Sequence, residues 1–261
     1  METSDKIKQI EKIMVSAGKY LVKHREKSHY DKVSYKTGKE ITFKLDKKLE
    51  KMIRKKVKDV FPDHKMWGEE LGKDTGNLET ENFIIIDSID GTKNYISGIP
   101  LFATQIACLE KGEIVWGVIV LPVLKEVYVA IKGTGSFVNG KKVFPSTQND
   151  FSLANQCFGI GHDATSIIKL LALIKDDLAE VRSYGSAGCH YAFTASGRID
   201  IYIAQEADFY DIAPGLLLCK ETGLEVCNLD GSEYKFGGGS GTGLVVGNKE
   251  LIQKFKEIVI T

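Results

Sequence analysis

Apolar residues along this chain repeat with two different periods, and each change of period marks a new element. Ile7, Ile10, Ile13, Met14, Ala17, Tyr20 and Leu21 recur every three or four positions between Asp5 and Lys27, which predicts an amphipathic helix. A second helix is expected over Leu45–Val60. Leu49, Met52, Ile53 and Val57 face inward there, and the lysines of 47–58 cover the solvated face. The period then shortens. Phe83–Ile86, Ala103–Leu109, Ile114–Leu121 and Glu126–Ile131 read as strands, with Lys111-Gly112 and Pro122-Val123-Leu124 at the turns. Phe137-Val138 and the Asn139-Gly140 turn close an antiparallel meander.

Beyond residue 142 the pattern alternates. Helices are predicted over Ala164–Leu178, Ala187–Ser196, Ile212–Thr222 and Asn248–Ile258, and strands over Ile199–Ile203 and Leu244–Val246. A soft boundary near Val143 divides an N-terminal α+β half, 1–142, from a C-terminal α/β half, 143–261. No long linker separates them, so one packed unit with a cleft between the halves is expected.

Composition narrows the function classes. The 261 residues are 43% apolar and 27% charged, and 35 basic residues balance 35 acidic ones. That balance gives no field to draw in nucleic acid or a membrane surface, and no apolar run reaches membrane-spanning length. Cys108, Cys157, Cys189, Cys219 and Cys227 are scattered and form no C-x-x-C pair, which points to a reducing cytoplasm and away from a disulfide framework.

Several motif-like stretches fail on context. Gly135 to Lys141 imitates a phosphate loop, but Lys142 stands where Ser or Thr would hold magnesium, and a hairpin reads better. Gly237 to Gly243 contains no full G-x-G-x-x-G and precedes a strand. Ile89 breaks the calcium-loop pattern begun by Asp87.

One stretch stands. Ile84 to Tyr95 reads IIIDSIDGTKNY, a buried strand ending on two carboxylates. Like charges at close range raise each other's pKa, so such a pair requires a cation or an exit into water. Asp87, Asp90 and the Ile89 carbonyl are hard oxygen donors suited to magnesium, and Gly91 permits close backbone approach. Glu69 and Glu70 after Trp67-Gly68, and Asp211 in YDIAPG, could complete a site; singly they read as a loop surface and a helix cap.

Taken together, W-G-E-E, D-S-I-D-G-T-x-N-Y, G-x-G-x-x-x-N-G and Y-D-I-A-P-G, in this order, strongly resemble the inositol monophosphatase-like family of magnesium-dependent phosphomonoesterases. The resemblance implies a layered α/β/α/β/α sandwich, with an antiparallel N-terminal sheet and a mixed C-terminal one, and a homodimer. It implies two or three Mg2+ ions. Glu69, Asp87 and the Ile89 carbonyl would hold one, and Asp87, Asp90 and Asp211 a second. It makes Gly91 and Thr92 a phosphate cradle and pairs Asp46 with Thr92 to activate water. Asp46, Glu69, Asp90 and Thr92 thus become the catalytic set. Gly185, Ser186 and Ala187 match a substrate-contacting turn, with Asp90 and Asp211 also facing substrate, and Lys36 falls in the family's active-site loop.

Two departures bear on the substrate. Ser88 replaces a usual proline, and Ala204 occupies the place, seven before Asp211, of an acid that commonly holds the inositol ring. Gln205 or Glu206 could replace that acid. The expected activity is hydrolysis of a small phosphate monoester, foremost inositol monophosphate or a related sugar or polyol phosphate. Histidinol phosphate, 3′-phosphoadenosine nucleotides and fructose 1,6-bisphosphate are rival substrates, and a non-catalytic interaction protein is the reading from another class.

Overall fold

The computed structural model describes residues 3–25, 33–35, 41–160, 164–178, 180–205, 208–234 and 243–260. In chain order the elements are α1 (Thr3–His24), β1 (Val33–Tyr35), β2 (Ile41–Phe43), α2 (Lys44–Val60), β3 (Lys65–Gly68), β4 (Gly72–Lys73), β5 (Asn82–Asp90), α3 (Thr92–Ile96), β6 (Ala103–Glu110), β7 (Glu113–Leu121), β8 (Glu126–Ile131), β9 (Gly135–Val138) and β10 (Lys141–Lys142). There follow β11 (Asn155–Gly159), α4 (Ala164–Leu173), β12 (Glu180–Arg182), α5 (Ala187–Ala195), β13 (Ile201–Ala204), α6 (Phe209–Lys220), β14 (Glu225–Asn228), β15 (Leu244–Gly247) and α7 (Lys249–Ile260).

Two large sheets and three helical layers alternate, as the resemblance implied, and β1 and β2 form a separate antiparallel pair. The first sheet runs β10-β9-β8-β7-β6-β5-β3-β4, and the second β12-β11-β13-β15-β14. Ile7, Ile10, Met14 and Leu21 of α1 and Leu49, Ile53 and Val57 of α2 bury one face of the first sheet against Ile84, Ile86 and Ile106. On its other face, Phe83, Ile85 and Ala107 pack with Tyr191 of α5 and Leu217 of α6, which also meet Tyr202 and Val246 of the second sheet. Phe158, Ile203 and Val245 face outward from that sheet onto Leu251 and Phe255 of α7. Strand β5 is therefore covered on both sides, which is why it reads as a continuous apolar run.

Two details differ from expectation. The first sheet is antiparallel except where β3 runs parallel to β5, Gly68 opposite Ile86. This pairing brings the loop after β3, with Glu69 and Glu70, to the same strand end as Asp87. On α2, Met52 is exposed and Glu50 takes a buried position instead. Glu50 Oε2 accepts from the Glu70 backbone N–H (2.8 Å) and Oε1 from Arg54 Nε (2.8 Å), so a charged residue fills an inward place by finding partners. A Cβ on Gly68 would lie 2.1 Å from Glu50 Oε1, so only glycine lets the loop approach this carboxylate.

The central helices sit tightly because YDIAPG supplies little bulk. A Cβ on Gly117 of β7 would be 2.8 Å from Pro214 Cα, and one on Gly215 would be 2.2 Å from Tyr191 Cγ. Asn139 (φ 49°) and Gly140 (φ 77°) form the left-handed pair that the β9–β10 hairpin requires. No described helix is long and apolar enough to cross a membrane.

Candidate active site

Residues three apart on a regular strand point to opposite faces. Asp87 pairs with Gln105 and Asp90 with Ala103, so β5 advances three residues while β6 advances two. This β-bulge resets the alternation. Ile89 turns into the α1/α2 core, Ser88 reaches α2, and Asp87 and Asp90 share the face that looks toward the central helices. Asp211 comes from the first turn of α6, packed on the same sheet. Carboxylate oxygens of Asp87, Asp90 and Asp211 lie within 4.8 Å of one another.

Asp87 and Asp90 are buried, and Asp211 is partly so. Burial, then Glu69, Asp90, Asp211 and Asp46, hold the Asp87 carboxyl well above the usual range. Burial first, then Asp90, Glu69 and Asp208, do the same to Asp211. Asp90 is raised less decisively, because burial is opposed by three donors. Its Oδ1 accepts from Ala187 N–H (2.9 Å), and its Oδ2 from Gly188 N–H (2.8 Å) and the Ser186 hydroxyl. The N-terminal turn of α5 thus seats Asp90 and ties the C-terminal half to β5. A Cβ on Gly188 would lie 2.9 Å from Ala103 Cβ and 3.0 Å from Asp90 Oδ2, so that seat requires glycine.

The donor set fits a hard divalent cation. Asp87 Oδ1 is buried without a hydrogen-bond partner among the described residues. Among the described residues, no ion pair reaches Asp87, Asp90 or Asp211. Convergent carboxylate oxygens with no ion-pair partner among the described residues match the oxygen preference of magnesium. The expected ligands Glu69, Asp87, Ile89, Asp90 and Asp211 all line one cleft of about 260 Å³, together with Gly91, Thr92, Gly185 and Ala187.

Other expectations are placed differently. Carboxylate oxygens of Glu69, Asp46 and Glu70 lie within 4.8 Å of one another, and Glu69 also acts on Asp87 through its charge. Asp46 is buried and raised well above its ordinary pKa by burial and by Glu69. Its hydrogen-bond donor is the Ser88 hydroxyl, and the Thr92 hydroxyl donates to the Ile89 carbonyl (2.9 Å). The implied Asp46–Thr92 pair is therefore not formed, because the bulge presents Ser88 to Asp46 first. Ser186 is buried, and its hydroxyl holds Asp90 in place of facing the cleft. Gln205 is buried in the body of the fold, while Lys36 and Glu206 lie outside the described residues.

Several contributors were missed by the sequence. Gln105 Nε2 donates to Asp87 Oδ2 (3.2 Å) and to the Asp211 carbonyl (3.1 Å), bracing one ligand against the element that carries another. The one available signal was an amide inside the apolar run ATQIACL. Lys93, Asp208 and Tyr210 also line the cleft. The Tyr210 hydroxyl donates to Asp208 (2.8 Å), and Trp67 stacks on the neighbouring Phe209 with centroids 5.2 Å apart.

Comparison with known proteins finds relatives along most of the chain. A fructose-1,6-bisphosphatase/inositol-1-monophosphatase of Thermotoga maritima is 32% identical over 78% of this chain and 77% of its own length. The Nus factor SuhB of Xylella fastidiosa is 29% identical over 94% and 91%. The solved structure of a Thermotoga maritima IMPase superposes with a TM-score of 0.87 at 28% identity, covering 98% of this chain and 96% of that one. The family model described as "Inositol monophosphatase family" matches residues 4–259. On this match over nearly its whole length, the chain belongs to the inositol monophosphatase family.

Proposed function

We propose that this chain is a Mg2+-dependent phosphatase of small phosphate monoesters, foremost inositol monophosphate or a related sugar or polyol phosphate. The observation that carries the reading is the meeting of Asp87, Asp90 and Asp211 within 4.8 Å on a cleft also lined by Lys93, Gly91 and Thr92. Asp87, Asp90, Asp211, Glu69 and the Ile89 carbonyl would hold two or three Mg2+ ions. When bound, these neutralise phosphate charge and lower the pKa of water.

The chain's own groups do the positioning. Gly91 and Thr92 line the place of the phosphate, and Lys93 adds a cation at the rim. The Thr92 hydroxyl donates to Ile89, which leaves its lone pairs to orient a water for in-line attack. The Asp46–Glu69–Glu70 group, which reaches the cleft through Glu69, would take up the proton of that water. Asp208 and Tyr210 form the wall against which the leaving group lies, and their carboxylate and hydroxyl match the hydroxyls of a polyol. They offer hydrogen bonds where the family's usual acid is replaced by Ala204. Residues 1–142 supply most ligands, and 143–261 supply Asp211 and the substrate wall.

The remaining assignments follow from surface and composition. Ile168 and Leu173 on α4 and Val181 on the edge strand β12 are exposed apolar residues, which supports a homodimer through that side. All five cysteines are free and buried, which supports a reducing, cytoplasmic setting.

Phosphate release should be measured from inositol 1-phosphate, histidinol phosphate, fructose 1,6-bisphosphate and adenosine 3′,5′-bisphosphate, with and without Mg2+. The expected result is Mg2+-dependent release, fastest from the inositol ester. Release that is equal without metal would sink the reading. The Nus factor relative favours a second, non-catalytic reading. Absence of release from all four esters, with Mg2+ still bound, would favour that one.

A further inference from the structure

We infer that the chain carries a second metal site, specific for Zn2+ or a similar borderline cation, formed by His64, Cys108 and Glu110. His64 stands in the connection between α2 and β3, and Cys108 and Glu110 lie two residues apart on β6, hence on one face of the first sheet. One ligand atom from each residue falls within 4.8 Å of the others. Glu110 Oε1 is 4.0 Å from His64 Nε2 and 4.0 Å from Cys108 Sγ.

The chemistry of the three donors differs from that of the catalytic cluster. Thiolate, imidazole and carboxylate together select a borderline-soft ion, whereas the cleft offers only oxygen. Tetrahedral zinc, with bonds of about 2.0–2.3 Å, sets its ligand atoms roughly 3.4–3.6 Å apart. The two 4.0 Å edges at Glu110 would close by about half an ångström, and the His64–Cys108 edge, which lies within 4.8 Å, by about 1.3 Å at most. Water would take the fourth position, since the Glu110 side chain is half-exposed (48%).

Local structure leaves His64 without another use. Its Nε2 is buried with no hydrogen-bond partner among the described residues, and the Phe61 ring meets it edge-on at 4.9 Å. Burial lowers the His64 pKa, which favours the neutral imidazole, the form that ligates a metal. Cys108 is fully buried beside it and forms no disulfide. On binding, the thiol proton passes to solvent, and thiolate plus carboxylate balance the dication.

The site is separate from catalysis. Cys108 pairs with Ile84 and Glu110 with Asn82, at the opposite end of β5 from Asp87 and Asp90. At about 3.3 Å per residue, Asn82 lies roughly 16 Å from Asp87. Cys108 faces α1 and α2, whereas the catalytic aspartates face the central helices. A bound ion would fasten the α2–β3 connection, and with it the approach to the Glu69–Glu70 loop, to the end of β6.

The test is Co2+ titration of the full chain with Mg2+ saturating the cleft, followed by absorption in the near ultraviolet. A thiolate-to-cobalt charge-transfer band is expected, because an all-oxygen cluster cannot produce one. It should vanish in Cys108→Ser. His64→Ala and Glu110→Gln should weaken binding by more than tenfold, since outer-shell changes alone cost about 10–100-fold. Zn2+ should also raise the wild-type melting temperature but not that of Cys108→Ser, which remains informative if one variant folds poorly. No band in the folded wild type, or a band that survives Cys108→Ser, overturns the proposal. So does a band that ignores both His64→Ala and Glu110→Gln, which would report a lone thiol.

Discussion

Asp87 and Asp90 lie on one face of β5 only because the bulge opposite Thr104 inserts an extra residue between them. Without it, the second carboxylate would point into the α1/α2 core, and Ile89 would occupy the cleft. The same bulge carries Ser88 to Asp46. One irregularity in one strand therefore sets two parts of the site.

Charge crowding at Asp87 makes function and metal-free stability oppose each other. Asp87→Asn removes one charge, and its amide can donate toward Asp211. We expect activity to fall by about a hundred- to a thousandfold, the usual cost of removing one stabilising group from a reacting centre. In chelator, the melting temperature should rise by about 2–4 °C for each kcal/mol of repulsion relieved. Thermal melts with and without Mg2+ check this, and a lower melting temperature in chelator would refute it.

Stability against pH should show the same crowding. Asp46, Asp87, Asp90 and Asp211 all have folded pKa values raised, mainly by burial. The folded state therefore binds more protons than the unfolded one above the ordinary carboxylate range. The stabilisation is complete below about pH 4 and is lost as pH rises through the raised values. Urea midpoints in chelator should fall from acid toward neutral pH, and saturating Mg2+ should flatten that fall. Identical curves with and without Mg2+ would contradict it.

Gly188→Ala tests the seat of Asp90. The new methyl would meet Ala103, Asp90 and Gln105 at 2.9–3.1 Å. Overpacking of this kind costs about 1–3 kcal/mol. A displacement near 1 Å at a reacting centre costs about 100-fold in rate, so kcat should drop by up to that factor. Denaturant melts and steady-state kinetics read the two effects separately, and wild-type values in both would exclude the steric role.

Ser88→Ala removes the hydroxyl donor to buried Asp46. Loss of one partner to a buried polar group costs about 1–3 kcal/mol. If Asp46 belongs to the proton-accepting group, kcat should fall and the pH–rate profile should shift, with substrate KM little changed. An altered KM with unchanged kcat would move Ser88 into substrate binding instead.

Much of this protein was legible from periodicity. The helices near 5–27 and 45–60 and the meander from Ala103 to Ile131 follow from apolar spacing, because each element buries one continuous stripe or face. The short strands β3, β11 and β14 escaped. Each is held by its neighbours in a sheet, and four or five residues carry too little pattern of their own. Among site residues, Asp87, Asp90, Glu69 and Asp211 were visible as acids bordering apolar runs. Gln105, Glu50 and Gly188 were not, since their importance lies in what they touch across the fold.

The sequence by itself determined the order of the main elements, because spacing is a local property, while the layered class of fold and the expected donor set came from the resemblance its motifs carry. Tertiary structure alone decided which carboxylates converge, that Asp46 answers to Ser88 and not to Thr92, and that Ser186 supports Asp90. Those outcomes depend on strand register and helix docking. A shift of one residue in register reverses every side chain on a strand, and no local pattern records where the bulge falls.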